Sequence, residues 1–102
     1  MNVASANPST AQTNTNLVAA SSQKIVKVRT VFISSDTALT VTLENSTTNA
    51  TLLLRQYVGA DGGVALGPGD IDESMWTIDG EGIDYSTSAA GNVYIRVGFE
   101  QV

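Results

Sequence analysis

Apolar residues occupy every second position in the most regular runs of this chain, and this alternation limits the fold more than any other feature. In the run LTVTLE, Leu39, Val41 and Leu43 alternate with polar residues, and the run VYIRVGFE near the C-terminus has the same period. A period of two is typical of a strand with one buried and one solvated face. No stretch of helix length repeats its apolar residues at the 3.6-residue spacing of an amphipathic helix. The sequence therefore predicts an all-β fold.

The predicted strands are short and are separated by turn residues. They comprise residues 24–34, 39–44, 51–58, 64–66, 71–78, 83–86 and 93–100. Glycine, proline and aspartate predict a hairpin loop at 59–63, a type II turn at 67–70 and a further turn at 79–82. Short strands at such regular intervals, without crossover helices, predict an antiparallel two-sheet sandwich of immunoglobulin-like or jelly-roll kind.

The alternation also predicts which side chains face inward between the two sheets. The expected inner set is Val26, Val28, Phe32, Leu39, Val41, Leu43, Leu52, Leu54, Val93, Ile95, Val97 and Phe99. Thr30 is a polar exception within it, and Leu53 makes its strand apolar on both sides. A register error of one residue would move every inward side chain of a strand to its outer face.

Residues 1–23 differ in composition from the rest of the chain. They contain no charged side chain and are rich in Asn, Ser, Thr and Ala. Too little apolar area is present to offset the entropy of ordering such a segment alone. We therefore expect residues 1–23 to form an extended arm that is mobile in the free protein, and residues 24–102 to form a single sandwich domain. The arm is interpreted as a contact with a neighbouring subunit, the alternative being a passive tail.

The composition also limits the chemistry. The 102-residue chain has no His and no Cys, and its five basic and ten acidic residues give a net charge of −5. Imidazole bases, thiol nucleophiles and His or Cys metal sites are therefore excluded, and no catalytic residue is predicted. An acidic surface would repel a phosphate backbone, so no nucleic-acid partner is expected. The apolar runs are too short for a membrane span, and no secretory signal pattern is present.

Acidic residues are concentrated between Asp61 and Asp84, and no Lys or Arg occurs between Arg55 and Arg96. Carboxylates at adjoining turns are the ligands that calcium prefers. The candidate calcium ligands are Asp70, Asp72, Glu73, Asp79, Glu81 and Asp84. The alternative is that these residues only form turns and keep the surface soluble. Calcium is the one cofactor that the sequence brings into consideration.

Trp76, the only tryptophan, allows two interpretations. It is typical of core or interface packing, but on an exposed face with Tyr57, Tyr85 or Tyr94 it could stack on a sugar ring. The second interpretation, together with the acidic turns, describes a carbohydrate-binding or calcium-dependent adhesive module.

The uncharged arm and the segments LTVTLENSTTNATLLLRQYVG, GPGDIDESMW and GEGIDYSTSAAGNVYIRVGFEQ together resemble the small β-sandwich virion proteins of tailed bacteriophages. The capsid decoration, or cement, proteins are the most similar type. This resemblance implies a non-enzymatic homo-oligomer, commonly a trimer, that binds the major capsid protein on the outer shell and clamps neighbouring capsomers. It also implies a virion location. Other virion parts of the same style, such as a head-tail connector, neck or fibre component, remain open.

Overall fold

The computed structural model describes residues 1–47 and 52–102, and these form eight strands and two single 3₁₀ turns. The strands are β1 (Asn2–Ala6), β2 (Thr15–Val18), β3 (Val26–Ser35), β4 (Leu39–Asn45), β5 (Leu52–Val58), β6 (Gly62–Leu66), β7 (Ile83–Thr87) and β8 (Val93–Gln101). The 3₁₀ turns span Pro68–Asp70 and Glu73–Met75. The predicted loop 44–50 and the predicted strand start at Thr51 lie partly outside the described residues.

The strands form two four-stranded sheets, which we call the front sheet (β1-β8-β3-β6) and the back sheet (β2-β7-β4-β5). All neighbouring strands are antiparallel. The chain crosses between the sheets at every connection except β4–β5, which is a hairpin. The predicted all-β, antiparallel two-sheet sandwich is confirmed, and this strand order is that of an eight-stranded jelly roll.

The core lies between the two sheets and contains most of the predicted inner set. Nine of the twelve predicted residues are buried, namely Val26, Val28, Leu39, Val41, Leu43, Val93, Ile95, Val97 and Phe99. Leu54 is half-buried and packs against them. The prediction was wrong for Phe32 and Leu52, which are 38% and 45% exposed.

Both errors come from β-bulges. In β3 the pairing passes from Val28–Phe99 to Thr30–Gly98, so Arg29 is an extra residue. The alternation therefore changes phase: Thr30 and Phe32 face outward, while Val31 and Ile33 are buried. A second shift, between the Leu43–Leu54 and Glu44–Leu52 pairs, makes Leu53 the extra residue of β5. Leu53 is buried, and Leu52 faces solvent.

Residues 1–23 were expected to lie outside the sandwich, but the structure places β1 and β2 within it. β1 pairs with β8 from Asn2–Phe99 to Ala6–Ile95, and β2 pairs with β7. Polar residues between them are also held by the domain, since Gln12 N donates to Thr87 Oγ1 at 2.9 Å and Asn14 N donates to Ser86 Oγ at 2.9 Å. Hydrogen bonds and strand pairing thus order a segment that is too poor in apolar residues to form a core alone.

Three local predictions also differ from the structure. Residues 59–63 do not close a hairpin, because β5 belongs to the back sheet and β6 to the front sheet. Residues 67–70 form a 3₁₀ turn rather than a type II turn, in which Gly69 would need a positive φ; among the described glycines only Gly80 has one, at 82°. The predicted strand 71–78 is instead a 3₁₀ turn followed by a single bridge between Trp76 and Lys27. The turn at 79–82 contains Gly80, as predicted.

Candidate functional site

The solvent-facing side of the front sheet carries an unusual combination of aromatic and basic side chains. Its central row is Ser5, Arg96, Phe32 and Ala65, which lie side by side on β1, β8, β3 and β6. We call this surface the aromatic-basic face and define it by Val3, Lys27, Arg29, Phe32, Trp76, Tyr94 and Arg96. Alternation along β8 predicted the outward positions of Tyr94 and Arg96. The outward position of Phe32 was not predicted, because the bulge at Arg29 changes the phase of the alternation.

Phe32 and Tyr94 form an exposed aromatic pair on this face. Tyr94 lies opposite Ser34, so it is the diagonal neighbour of Phe32 on the adjacent strand. The ring centroids are 6.1 Å apart and the planes are tilted by 59°, within the range of favourable aromatic contacts. Each residue is more than a third exposed. The pair therefore presents apolar area that the protein's own core does not cover.

Trp76 stands at the other end of the face, beside two cations. Its bridge to Lys27 places it next to β3, where Lys27 Nζ lies 4.4 Å and Arg29 Cζ 5.8 Å from the ring centroid. Both distances are within reach of cation–π attraction. Arg29 also forms an exposed ion pair with Glu100, with 3.5 Å between nitrogen and oxygen, and such surface pairs contribute little to stability. Trp76 is half-buried. Within the packing interpretation, this position fits an interface better than the core.

The face differs in charge from the rest of the molecule. The four strands of the front sheet hold three of the five basic side chains, Lys27, Arg29 and Arg96, and one of the ten acidic ones, Glu100, which lies opposite Lys27. The side chains of these strands therefore carry a net charge of +2, and the remainder of the chain carries −7 to give the total of −5. Such a charge separation favours approach of this face to an acidic surface.

The outer face of the back sheet has a different composition. Thr42 lies between Arg55 and Ser86, and Glu44 lies beside Asp84. Asp84 Oδ1 accepts a hydrogen bond from Asn16 Nδ2 at 3.1 Å. This face carries two neighbouring carboxylates, of which Asp84 is buried, and it also exposes Leu52 and Tyr57. The two outer faces therefore differ in charge, although both expose apolar side chains.

The aromatic residues that the sequence linked to sugar stacking are not brought together. Tyr85 is buried in the core, where desolvation raises the pKa of its hydroxyl. Tyr57 pairs with Thr40 on the outer side of the back sheet. Only Trp76 and Tyr94 share a face.

The predicted calcium ligands lie mostly in separate local structures. Asp70 Oδ2 accepts from Gly67 N at 2.9 Å, and Asp72 Oδ1 accepts from Ser74 N at 2.9 Å and Ser74 Oγ at 2.6 Å. These hydrogen bonds lower the pKa of Asp72. Glu73 begins the second 3₁₀ turn, and Asp79 is exposed in the next turn. Asp70 and Asp72 thus each accept a hydrogen bond from a backbone N–H group and stabilise a 3₁₀ turn.

The last two calcium candidates are buried. Glu81 Oε1 accepts from Thr47 N at 3.2 Å, and Asp84 lies on β7. Across residues 1–47 and 52–102, no group of three or more acidic side chains is placed to hold a metal ion. The calcium hypothesis therefore has no assembled ligand set among the described residues.

A shallow open depression of about 410 Å³ lies at one end of the sandwich, next to the aromatic pair. Its lining includes Asp36, Asp61, Asn92 and Tyr94. Asp36 accepts from Thr37 Oγ1, Asn92 N and Asn92 Nδ2, each at 2.9 Å, and these bonds lower its pKa. The sequence did not predict this site, because residues 36, 61 and 92 belong to turns that are far apart in the chain.

Comparison with protein-family models, with curated proteins and with solved structures finds no match for this chain. In the described part of the chain, no helix has the length and hydropathy needed to span a membrane. The fold and the aromatic-basic face are therefore the observations from which a function can be argued.

Proposed function

We propose that this protein is a non-enzymatic virion structural protein that binds the outer shell of a phage capsid through its aromatic-basic face. In this role it decorates the shell and clamps neighbouring capsomers as a cement protein. The observation that carries the proposal is the concentration of Phe32, Tyr94, Trp76 and three cations on one side of an otherwise acidic sandwich.

The composition of the face supports docking onto a protein. Aromatic residues and Arg are enriched at protein interfaces and supply most of their binding energy. The exposed Phe32–Tyr94 pair provides an apolar anchor, and Arg96 lies next to Phe32 on the adjacent strand. The net positive charge of the front-sheet strands favours an acidic partner surface.

The same face could be considered a stacking platform for single-stranded nucleic acid. Such platforms combine aromatic rings with a strongly positive groove. Here Glu100 offsets one of three cations, and the rest of the molecule is strongly negative. An acidic protein surface is therefore the better-supported partner.

The jelly roll is compatible with this role, since capsid proteins use the same architecture. The jelly-roll architecture alone does not define a function, because lectin domains also have it. The resemblance in size and style to phage decoration proteins connects the docking face with a capsid partner.

The experiment is to mix the purified protein with capsids that lack it and to measure bound copies per shell. Two double variants form a matched pair, because each removes one Tyr and one Arg two residues apart on an outer sheet face. Tyr94→Ala with Arg96→Ala alters the front face, and Tyr57→Ala with Arg55→Ala alters the back face. We expect the front-face variant to lose affinity by about 30-fold or more, as for loss of an interface anchor, and the back-face variant to bind as the unaltered protein does.

The location of bound protein separates decoration from the other virion roles. Binding at many symmetric positions on the shell, with greater resistance of the shell to heat, supports cementing. Binding only at the tail vertex or along the tail supports the connector, neck or fibre alternative. Binding to the packaged nucleic acid and not to empty shells contradicts both.

The second candidate function is carbohydrate binding, and the depression beside Tyr94 favours it. An aromatic ring next to Asp61 and Asn92 could contact a sugar through stacking and hydrogen bonds. Retention on a glycan array that is lost in Asp61→Ala and Tyr94→Ala, and kept in Tyr57→Ala, would support this function. Dependence on calcium would further support the adhesive form of it.

A further inference from the structure

The edges of the two sheets differ in how regular they are. Both edge strands of the front sheet pair without interruption: β1 matches β8 at five consecutive positions, and β6 matches β3 at five. Both edge strands of the back sheet contain a register shift, at Asn16–Val18 in β2 and opposite Leu43–Glu44 in β5. Bulges are a common way of preventing a sheet edge from pairing with another chain. The front sheet lacks this protection.

The front edges also lack protective side chains. β1 has the sequence NVASA and β6 has GGVAL, so neither contains a charged residue or a proline. In the back sheet, β5 carries Arg55, and β2, which is also uncharged, is interrupted by its register shift. Natural proteins blunt exposed edges with Lys, other charges or Pro, because a free row of N–H and C=O groups can pair with another strand. The two edge strands of the front sheet therefore lack the usual features that prevent pairing with another chain.

The directions of β1 and β6 make them complementary to each other. Successive strands in the order β1-β8-β3-β6 alternate in direction, so β1 and β6 run opposite ways. A second copy placed beside the first in the same orientation would bring its β1 against β6 as an antiparallel neighbour. Both strands have five residues, so the backbone groups of the two edges match in number.

The side chains of the two edges are compatible with the same arrangement. The inward residues Ala4 and Val64 are both half-buried, and the outward residues Val3 and Ala65 are both exposed. When the strands are centred on each other, Ala4 lies opposite Val64 and Val3 opposite Ala65. Inward residues thus meet inward residues, and the two cores become continuous across the joint.

We propose that copies of this protein associate side by side through antiparallel pairing of β6 in one copy with β1 in the next. The two surfaces of the joint are different, so the contact is heterologous and generates either a closed ring or an open row. The joint uses the edges of the front sheet, including Val3, and leaves the aromatic and basic side chains of the aromatic-basic face free. The proposal therefore does not depend on docking to a capsid, and each of the two can fail without the other.

The test uses the absence of cysteine from the chain. Val3→Cys and Ala65→Cys each introduce a single thiol at an exposed position, one on β1 and one on β6. The two variants are treated with a short thiol crosslinker, separately and as an equimolar mixture. Ser22→Cys and Ala90→Cys, at exposed positions outside the strands, form the control pair. Circular dichroism of all four variants checks that the sandwich is intact.

The expected result is a crosslinked dimer in the mixture of Val3→Cys and Ala65→Cys, with no dimer above the control level in either variant alone. The double variant should form a ladder of oligomers or one closed ring. Dimers of Val3→Cys alone would indicate a two-fold β1–β1 contact and would overturn the proposal. Absence of dimer from the mixture up to the solubility limit, with folding intact, would overturn it as well.

Discussion

Gly82 lies so close to the main-chain carbonyl of Val18 that a Cβ atom on residue 82 could not be accommodated between them. The obstruction is backbone rather than the end of a flexible side chain, and Ala20 N would be only 2.7 Å from the same Cβ. The lack of a side chain at Gly82 therefore allows the end of β2 to approach the residue that precedes β7. Substitution of Gly82 thus tests whether residues 15–20 belong to the sandwich.

Gly82→Ala should destabilise the protein by about 1–3 kcal/mol, the usual cost of overpacking a close contact. It should also raise amide exchange across residues 15–20, because β2 must move away from β7. Thermal or denaturant unfolding and hydrogen exchange measure the two effects. Gly69→Ala is the control, since a Cβ there would meet nothing within 4 Å. An unchanged exchange pattern in Gly82→Ala would mean that residues 15–20 do not pack against Gly82 in solution.

Because of the bulge at Arg29, we expect substitutions of the adjacent residues Val31 and Phe32 to lower the free energy of unfolding by different amounts. Val31 is 1% exposed and Phe32 is 38% exposed. Val31→Ala should therefore lower the free energy of unfolding by about 1–3 kcal/mol through lost burial and a cavity. Phe32→Ala should lower it by less, about 0.5–1.5 kcal/mol, because the ring is partly exposed and loses mainly its contact with Tyr94. Urea unfolding of both variants gives the comparison, and the reverse order of costs would indicate an uninterrupted alternation through β3.

The sequence predicted the parts of this fold where alternation is continuous. β4 and β8 keep a strict period of two, and their inward residues were correctly assigned. Phe32 and Leu52 were misassigned because a single extra residue reverses the phase, and neither Arg29 nor Leu53 marks itself as a bulge. β1 and β2 were missed for another reason: they are short edge strands whose inward residues, apart from Val18, are small or only half-buried, so their hydrophobic pattern is weak.

The candidate site was only partly predictable. Tyr94 and Arg96 follow from the alternation of β8, and the acidity of the remaining surface follows from composition. The approach of Trp76 to Lys27 depends on a single long-range bridge, which no local pattern encodes. The depression lined by Asp36, Asp61 and Asn92 likewise depends on how the jelly roll brings distant turns to one end.

Asp36 should contribute a pH-dependent part of the stability. Its hydrogen bonds from Thr37 and Asn92 lower its pKa from the ordinary value of 3.8 in the folded protein. The folded state therefore binds the proton less readily than the unfolded state. The resulting stabilisation is fully present above pH 3.8 and is lost as the pH falls through the folded pKa. Asp36→Asn should flatten the fall of Tm with pH in this acidic range.

Asp61→Asn removes a carboxylate from the same depression and controls for loss of charge alone. Calorimetry of the three proteins between neutral and strongly acidic pH gives the comparison. If Asp36→Asn and the unaltered protein lost stability in parallel, the hydrogen bonds to Asp36 would not be coupled to its ionisation.

The fluorescence emission of Trp76 can report whether Lys27 lies over the indole ring. Trp76 is the only tryptophan, and Lys27 Nζ lies 4.4 Å from its ring. Lys27→Met removes the cation and should shift the emission spectrum, whereas Lys24→Met, at an exposed position in the preceding turn, should not. Equal spectra for both variants would mean that Lys27 does not remain over the ring in solution.

A reconstruction of capsid shells decorated with this protein, at a resolution that distinguishes the two sheets, tests the proposed docking most directly. We expect the front sheet to face the shell, with Phe32, Tyr94 and Arg96 buried against acidic side chains of the capsid surface. A shell contacted by the back sheet around Arg55 and Tyr57, or a shell that binds no copies of the protein, would contradict the proposal.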